Sequence, residues 1–280
     1  MSISAKVVAH SRAAGAPDLI TLQLRYPRFI HSEFLTHRVF SRNASSSRAI
    51  PVERMIQDVI DDPAMPVAWG SNKPGMQAGE EIIADVRYQP DDGSPWFYGP
   101  APKMWSKARD QAVAMAKGFA KAGYHKQIVN RLLEPFAHIS VVCTATDWDN
   151  FFDLRCHPDA DPTMRALAEA MRDAIAGSDP EDTRLHLPYI LPEETHIGTD
   201  EPDRMWEYLA MISTARCARV SYLTHSGDKP DIEKDMALAK RLLESKHMSP
   251  SEHQAVAAPG QRSRNFNGWR QHRAMLEERI

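Results

Sequence analysis

An α+β fold is what this 280-residue sequence predicts, and three stretches predict it. Residues 19–25 (Leu-Ile-Thr-Leu-Gln-Leu-Arg) alternate strictly, placing Ile20, Leu22 and Leu24 on one face of a half-buried strand. Between Lys103 and Ala122 apolar side chains recur at Met104, Ala108, Ala112, Met115, Phe119 and Ala122, a helical period that stops at Gly123. Ile139 to Thr146 is β-branched and strand-like. No linker interrupts the chain, which reads as one domain over residues 1–280, with an irregular insertion at about 57–102 and a tail at 258–280.

The remaining elements follow in order. Pro27 suits the first turn of a helix carrying Phe29, Ile30, Phe34 and Leu35, which delivers the chain to His37. The insertion is rich in Pro, Gly and Asp, contains Trp69 and Trp96, and suits a lid or a subunit contact. A second helix continues from Asn130 to Pro135. Asp161-Pro162 is an N-cap and first-turn pair for a helix with Met164, Leu167, Ala168, Met171 and Ile175 inward, closed by Gly177. Residues 178–202 form an acidic, Pro-containing loop, and helices are expected at about 203–215 and 231–246. The polar and aromatic stretch Asn265–Arg273 reads as a surface helix.

Composition narrows the function. A net charge of −3 is far from the basic excess of a general nucleic-acid binder, so any anion recognition is local. Cys143, Cys156 and Cys217 form no CxxC pair and no even framework, which implies a reducing compartment. No apolar run approaches the roughly 20 residues of a membrane span, and the N-terminus lacks a signal-peptide core, so a cytoplasmic protein is expected. HExxH, GxxxxGK[ST] and GxGxxG are all missing, which leaves no expected metal, P-loop or Rossmann cofactor site.

Arginine-centred segments remain. His37 to Arg48 holds three arginines, a histidine, an asparagine and four serines in twelve residues. That composition suits either a solvated basic loop or a site for several phosphate and carbonyl oxygens. Arg131 sits in Asn130-Arg131-Leu132-Leu133-Glu134-Pro135, and Arg155 closes Asn150-Phe151-Phe152-Asp153-Leu154-Arg155. A guanidinium forced beside apolar side chains needs a partner, either a carboxylate or a ligand.

Together these pieces resemble the flavin-dependent thymidylate synthases (ThyX). The family motif RHRxxSxNxxSxR appears as Thr36-His37-Arg38-x-x-Ser41-x-Asn43-x-x-Ser46-x-Arg48, complete apart from its first arginine. Asn130-Arg131-Leu132-Leu133-x-Pro135 resembles the segment carrying a phosphate-binding arginine, and Asn150 to Ala160 the one carrying a substrate-activating arginine. Thr214 to Tyr222, a helix, and then His247-Met248-Ser249-Pro250-Ser251-Glu252-His253 resemble the segment that usually opens these enzymes. Here that segment comes last, so the chain resembles a circular permutation of the family's order, in a divergent, phage-type branch. The resemblance covers about residues 19–56, 123–176 and 213–257.

The resemblance implies a mixed or antiparallel central sheet flanked by helices, and C5 methylation of dUMP to dTMP. Methylenetetrahydrofolate would be the carbon donor, FAD the cofactor and NADPH its reductant, in a homotetramer with neither nucleic-acid nor membrane partners. Methylation or hydroxymethylation of another pyrimidine nucleotide, dCMP, and a non-catalytic nucleotide-binding homologue are the alternatives. The implied roles make Arg155 catalytic, with Glu33, Thr36, Ser46, Ser47, Arg48, Arg131 and Arg155 binding substrate. The implied flavin contacts are His37, Arg38, Asn43, Thr144, Asn150, His247 and Ser249. The chain departs from the family at Thr36 (arginine), Glu33 (glutamine), Ala44 (glutamate) and Asp161 (glutamine), and Arg42 and Lys126 are the candidates to restore positive charge.

Overall fold

The strict alternation of residues 19–25 becomes the second of two long antiparallel strands, β1 (Ser4–Arg12) and β2 (Leu19–Pro27), in a computed structural model that describes residues 3–195, 202–220 and 230–278. A 3-10 turn (Arg28–Ile30) and α1 (His31–Phe34) lead to the short β3 (Ser41–Ala44). After α2 (Val52–Asp61) the irregular insertion holds a two-stranded ribbon of β4 (Asp85–Tyr88) and β5 (Phe97–Pro100). Then come α3 (Ala101–Lys121), α4 (Lys126–Val129), β6 (His138–Ala145), α5 (Asp149–Arg155) and α6 (Pro162–Ala176). The two-residue strands β7 (Glu181–Asp182) and β8 (Leu185–His186) precede α7 (Pro202–Arg219) and α8 (Ile232–Glu244), and the chain closes with β9 (Ala255–Ser263), β10 (Phe266–Gln271) and α9 (His272–Glu277). Of the segments singled out in the sequence, Ser221, Tyr222, residues 196–201 and the tail residues Arg279 and Ile280 lie outside the described residues.

The main sheet has strand order β3-β6-β2-β1-β7. Its long pairs are antiparallel, whereas β7 runs parallel to β1, so the expected mixed sheet is present. Ile20, Leu22, Leu24 and Tyr26 on one face of β2 meet Ile139, Val141 and Cys143 of β6, and α5 and α6 cover them with Phe151, Met164, Leu167 and Met171. On the other face Val142 packs against Cys217 and Val220 at the end of α7. A second cluster joins α2 and α3 to residues 129–137 through Met55, Ile56, Val113, Val129, Leu133 and Phe136.

Several expectations need correction. Asn265–Arg273 is not a surface helix: Phe266–Gln271 pairs with β9 as a hairpin that buries Phe266 and Trp269 against Leu19. The register shifts between Asn267 and Trp269, which breaks the two-residue period that would have marked a strand. Gly268 sits at the shift with φ +73°, where a Cβ would fall 2.6 Å from that of Ala16. β1 went unread for a related reason, an irregularity between Val7 and Ala9. The helix expected at 130–135 is instead α4 followed by two 3-10 turns, Asn130–Leu132 and Glu134–Phe136, because Pro135 cannot donate a helical hydrogen bond. The acidic stretch 178–202 contributes β7 and β8 to two sheets.

Candidate active site

Three pieces of chain converge around β3, which lies at the edge of the main sheet. The first is the end of α5. Phe151 is buried against Phe34 and Phe40, and its ring stands edge-on to His37 at 4.8 Å. This packing brings Arg155, at the C-terminal end of α5, to His37. Arg155 Nε donates to His37 Nε2 at 2.9 Å, so the imidazole presents a bare Nε2 and is neutral. Burial first, then the charges of Arg155 and Arg42, push the His37 pKa below the ordinary histidine value. Arg155 Nη2 also lies 3.4 Å from Thr36 Oγ1, whose hydroxyl donates to the Glu33 carbonyl at 2.7 Å. Among the described residues, Arg155 has no carboxylate within ion-pair distance. Glu33 is half-buried, and burial followed by repulsion from Asp161 raises its pKa, with Arg155 opposing.

The second piece follows β3. Ser45 makes two hydrogen bonds to the Ser140 backbone, donating from its N–H to the carbonyl at 2.8 Å and accepting on its side-chain Oγ from Ser140 N–H at 3.1 Å. The chain then makes a 3-10 turn, Ser47–Ala49. Buried Asn130 clamps that turn, giving its two amide hydrogens to the carbonyls of Ser47 (2.8 Å) and Ile50 (2.9 Å). Lys126 Nζ adds a bond to the Ala49 carbonyl at 3.2 Å. Ser47 itself is buried and its Oγ donates to Glu134 Oε1 at 2.6 Å. Glu134 also pairs with Arg28 at 3.2 Å and stands 3.9 Å from Arg131. Ser46, Arg48 and the Arg131 guanidinium face solvent.

The third piece comes from the far end of the chain. Asn43 Nδ2 donates to the Cys217 carbonyl at 2.8 Å, and Ser249 Oγ donates to Asn43 Oδ1 at 3.3 Å. Behind this wall runs a buried polar chain linking Ser11, His186, Thr21, Thr144 and His253 with oxygen–nitrogen or oxygen–oxygen distances of 2.7–2.8 Å. Burial pushes the pKa values of His186 and His253 down to about 3, so both imidazoles are neutral.

Of the residues singled out in the sequence, Thr36, His37 and Arg155 are in direct contact, with Glu33 beside them. Ser47 and Arg131 meet through Glu134, and Asn43 meets Ser249. Thr144 lies in the buried polar chain rather than on the surface. Arg38, Ser46, Arg48, Asn150 and His247 are exposed, with no side-chain hydrogen bond among the described residues. Arg42 donates to the Phe34 carbonyl at 3.2 Å and Lys126 to the turn, so both bring charge to this edge. Sequence reasoning missed Arg28, Asn130 and Glu134; the only local trace is the three-residue spacing of Arg131 and Glu134. Among the described residues no three His, Cys, Asp or Glu side chains group as metal ligands.

The family described as thymidylate synthase complementing protein matches this chain over residues 18–181. No curated protein matches it. Two solved structures of the UMP/dUMP methylase PolB from Streptomyces cacaoi, bound with 5-Br dUMP and with 5-Br UMP, are similar to it at 16% identity. They cover 62% of this chain and 90% and 89% of their own, with TM-scores of 0.45 and 0.39.

Proposed function

The chain belongs to the thymidylate synthase complementing protein family, and on that premise we propose that it methylates dUMP at C5 to give dTMP, using FAD, methylenetetrahydrofolate and NADPH. The observation that carries this reading is Arg155. Its guanidinium is half-buried beside Phe151, has no carboxylate partner among the described residues, and rests on the neutral acceptors His37 and Thr36. A cation held in this way has unused donors and an uncompensated charge to offer a ligand.

The chemistry uses that charge. C5 of a uracil ring is a poor nucleophile until negative charge can develop at N3 and O4. A guanidinium fixed at that edge, in a site shielded from water, stabilises the charge as it forms. Arg155 is the residue assigned to this role, and His37 and Thr36 hold it in place. Ser46, Arg48 and Arg131, exposed beside the turn at Ser47, are the donors for the 5′-phosphate, with Ser47 in the same loop. Glu33 and Thr36 complete the nucleotide wall.

The flavin fits the other side. Arg38, Asn150 and His247 are exposed donors without side-chain hydrogen bonds among the described residues, suited to a diphosphate and a heteroaromatic ring. Asn43 and Ser249 join the two ends of the chain there, and Thr144 hydrogen-bonds to His253, four residues on from Ser249. A flavin held by these residues and reduced by NADPH would supply the hydride needed to take a transferred methylene to a methyl group. The Asn43–Ser249 and Asn43–Cys217 contacts support reading residues 213–257 as the family's opening segment in permuted order, within one domain over residues 1–280. A cytoplasmic homotetramer, with the insertion at about 57–102 as a lid or subunit contact, completes the proposal. Among the described residues no helix is long and apolar enough to cross a membrane.

The test is to incubate the purified, flavin-loaded protein with dUMP or dCMP, methylenetetrahydrofolate and NADPH and to identify the product by mass. Formation of dTMP is the expected result. Methylated dCMP without dTMP would overturn the base assignment, and a colourless protein that cannot be reconstituted with FAD would overturn the enzymatic reading.

A further inference from the structure

Ser47 sits inside the phosphate-binding loop, yet its hydroxyl points the wrong way for a phosphate. A serine hydroxyl has one hydrogen to give. That hydrogen goes to Glu134 Oε1 at 2.6 Å, inside a contact where Ser47 is 5% exposed. The same carboxylate pairs with Arg28 at 3.2 Å and turns its other oxygen toward Arg131, 3.9 Å away. A phosphate dianion has no hydrogen to offer in return, so the Ser47 side chain cannot hydrogen-bond to it while this contact stands. We infer that Glu134 is a positioning residue: it locks the turn Ser47–Ala49 through the Ser47 hydroxyl and sets the stance of Arg28 and Arg131. The donors that reach the phosphate are then Ser46, Arg48 and Arg131, while Ser47 belongs to the scaffold. This inference rests on the proposed nucleotide phosphate site and adds a residue to it that the family resemblance does not supply.

The lock makes the loop's order depend on one carboxylate. Asn130 holds the turn by its carbonyls, which fixes where the backbone lies. Glu134 holds it by a side chain, which fixes how far the turn can rotate about that clamp. Glutamine at position 134 keeps an oxygen for the Ser47 hydroxyl and drops the charge, whereas alanine removes the acceptor altogether.

The experiment measures binding of dUMP and of deoxyuridine, its phosphate-free counterpart, to the purified full-length protein by titration calorimetry. The set is the wild type, Ser47→Ala, Glu134→Ala, Glu134→Gln and the Ser47→Ala/Glu134→Ala double variant. The wild type should prefer dUMP. Each alanine variant should lower dUMP affinity by about tenfold, the scale of one hydrogen bond to a charged group, and leave deoxyuridine unchanged. The double variant should be no worse than either single, because both remove the same contact. Glu134→Gln should stay within about threefold of the wild type, as expected for hydroxyl positioning. Additive losses in the double variant, or a loss for Ser47→Ala alone, would make Ser47 a direct phosphate ligand and overturn the lock. A wild type that does not prefer dUMP overturns the phosphate-site reading itself, and this use of the lock with it. Amide hydrogen exchange of residues 45–50 in the ligand-free protein tests the contact independently. Exchange should speed up in Ser47→Ala and Glu134→Ala and not in Glu134→Gln; unchanged exchange in both alanine variants overturns the lock whatever the ligand does.

Discussion

Two arginines near the C-terminal ends of helices, Arg155 on α5 and Arg216 on α7, have opposite surroundings. Arg216 is fully buried and four of its five donors are taken: Glu194 receives two hydrogen bonds at 2.5 and 2.6 Å, Asp235 one at 2.9 Å, and the Tyr189 carbonyl one at 2.7 Å. Asp235 is shared with Arg219, so α7, α8 and the 189–194 segment meet at one charged hub. Arg155 has two neutral acceptors and no carboxylate among the described residues. A guanidinium whose fork is filled by the protein holds the protein together. One whose fork is left open is held ready for something else, and the burial that makes the first stable makes the second useful.

The largest effect of any single substitution should come from the filled site. Arg216→Ala leaves Glu194 and Asp235 as buried charges without their main partner, and should lower unfolding stability by about 3–5 kcal/mol in urea denaturation. A loss under about 1 kcal/mol would mean the hub is not structural. Acid should act next, on the neutral side of the molecule. His186 and His253 have folded pKa values near 3, below the ordinary 6.5, so their contribution is complete above pH 6.5 and is lost as the pH falls toward 3. Below pH 6.5 the unfolded chain takes up protons that these two folded imidazoles refuse. The two together should lower stability by about 3 kcal/mol per pH unit, read from denaturation midpoints between pH 6 and pH 4.

The open site should respond differently. Arg155→Ala should reduce product formation by about two orders of magnitude, as for loss of one preorganised charge-stabilising donor, while retaining FAD and changing unfolding stability by less than about 0.5 kcal/mol. Normal turnover in this variant would remove Arg155 from the mechanism, and a large stability loss would place it with Arg216. Asp161→Ala provides the smallest effect. Asp161 caps α6 by accepting from the N–H groups of Thr163 and Met164 at 2.9 Å each, and its loss should lower stability by about 1 kcal/mol. Asp161→Asn, which keeps a cap, should restore most of it.

What the sequence disclosed follows the same division. β2, α3 and α6 were legible because their apolar residues recur at a strand or helix period in the sequence, and β6 because its residues are β-branched, although β2 and β6 are buried on both faces over much of their length and Met115 of α3 is exposed. The β9–β10 hairpin was not, because its strands change register at Gly268 and the alternation that marks a strand is broken there. At the site, residues 37–48 stood out by composition, and the need of Arg155 for a partner could be stated before any partner was visible. Whether that partner was protein or ligand could not be read, since no local pattern separates Arg155 from Arg216; both sit among apolar neighbours on a helix. Glu134 escaped notice for the converse reason. Three residues after an arginine it resembles any surface ion pair, and its tie to Ser47 spans 87 positions.

The meeting of Asn43 with Ser249 carries a consequence for how the molecule is made. The two residues are 206 positions apart, so during synthesis the wall bearing Asn43 leaves the ribosome long before its counterpart does. The main sheet, with β3 and α5 on it, can assemble from the first 182 residues or so, whereas the wall bearing Cys217 and Ser249 must wait for the last quarter of the chain. Closing so long a loop is a slow step. A nascent chain therefore passes through a stage in which Arg155 and the serine loop are in place and the opposite wall is not, and the complete site is among the last things the protein acquires.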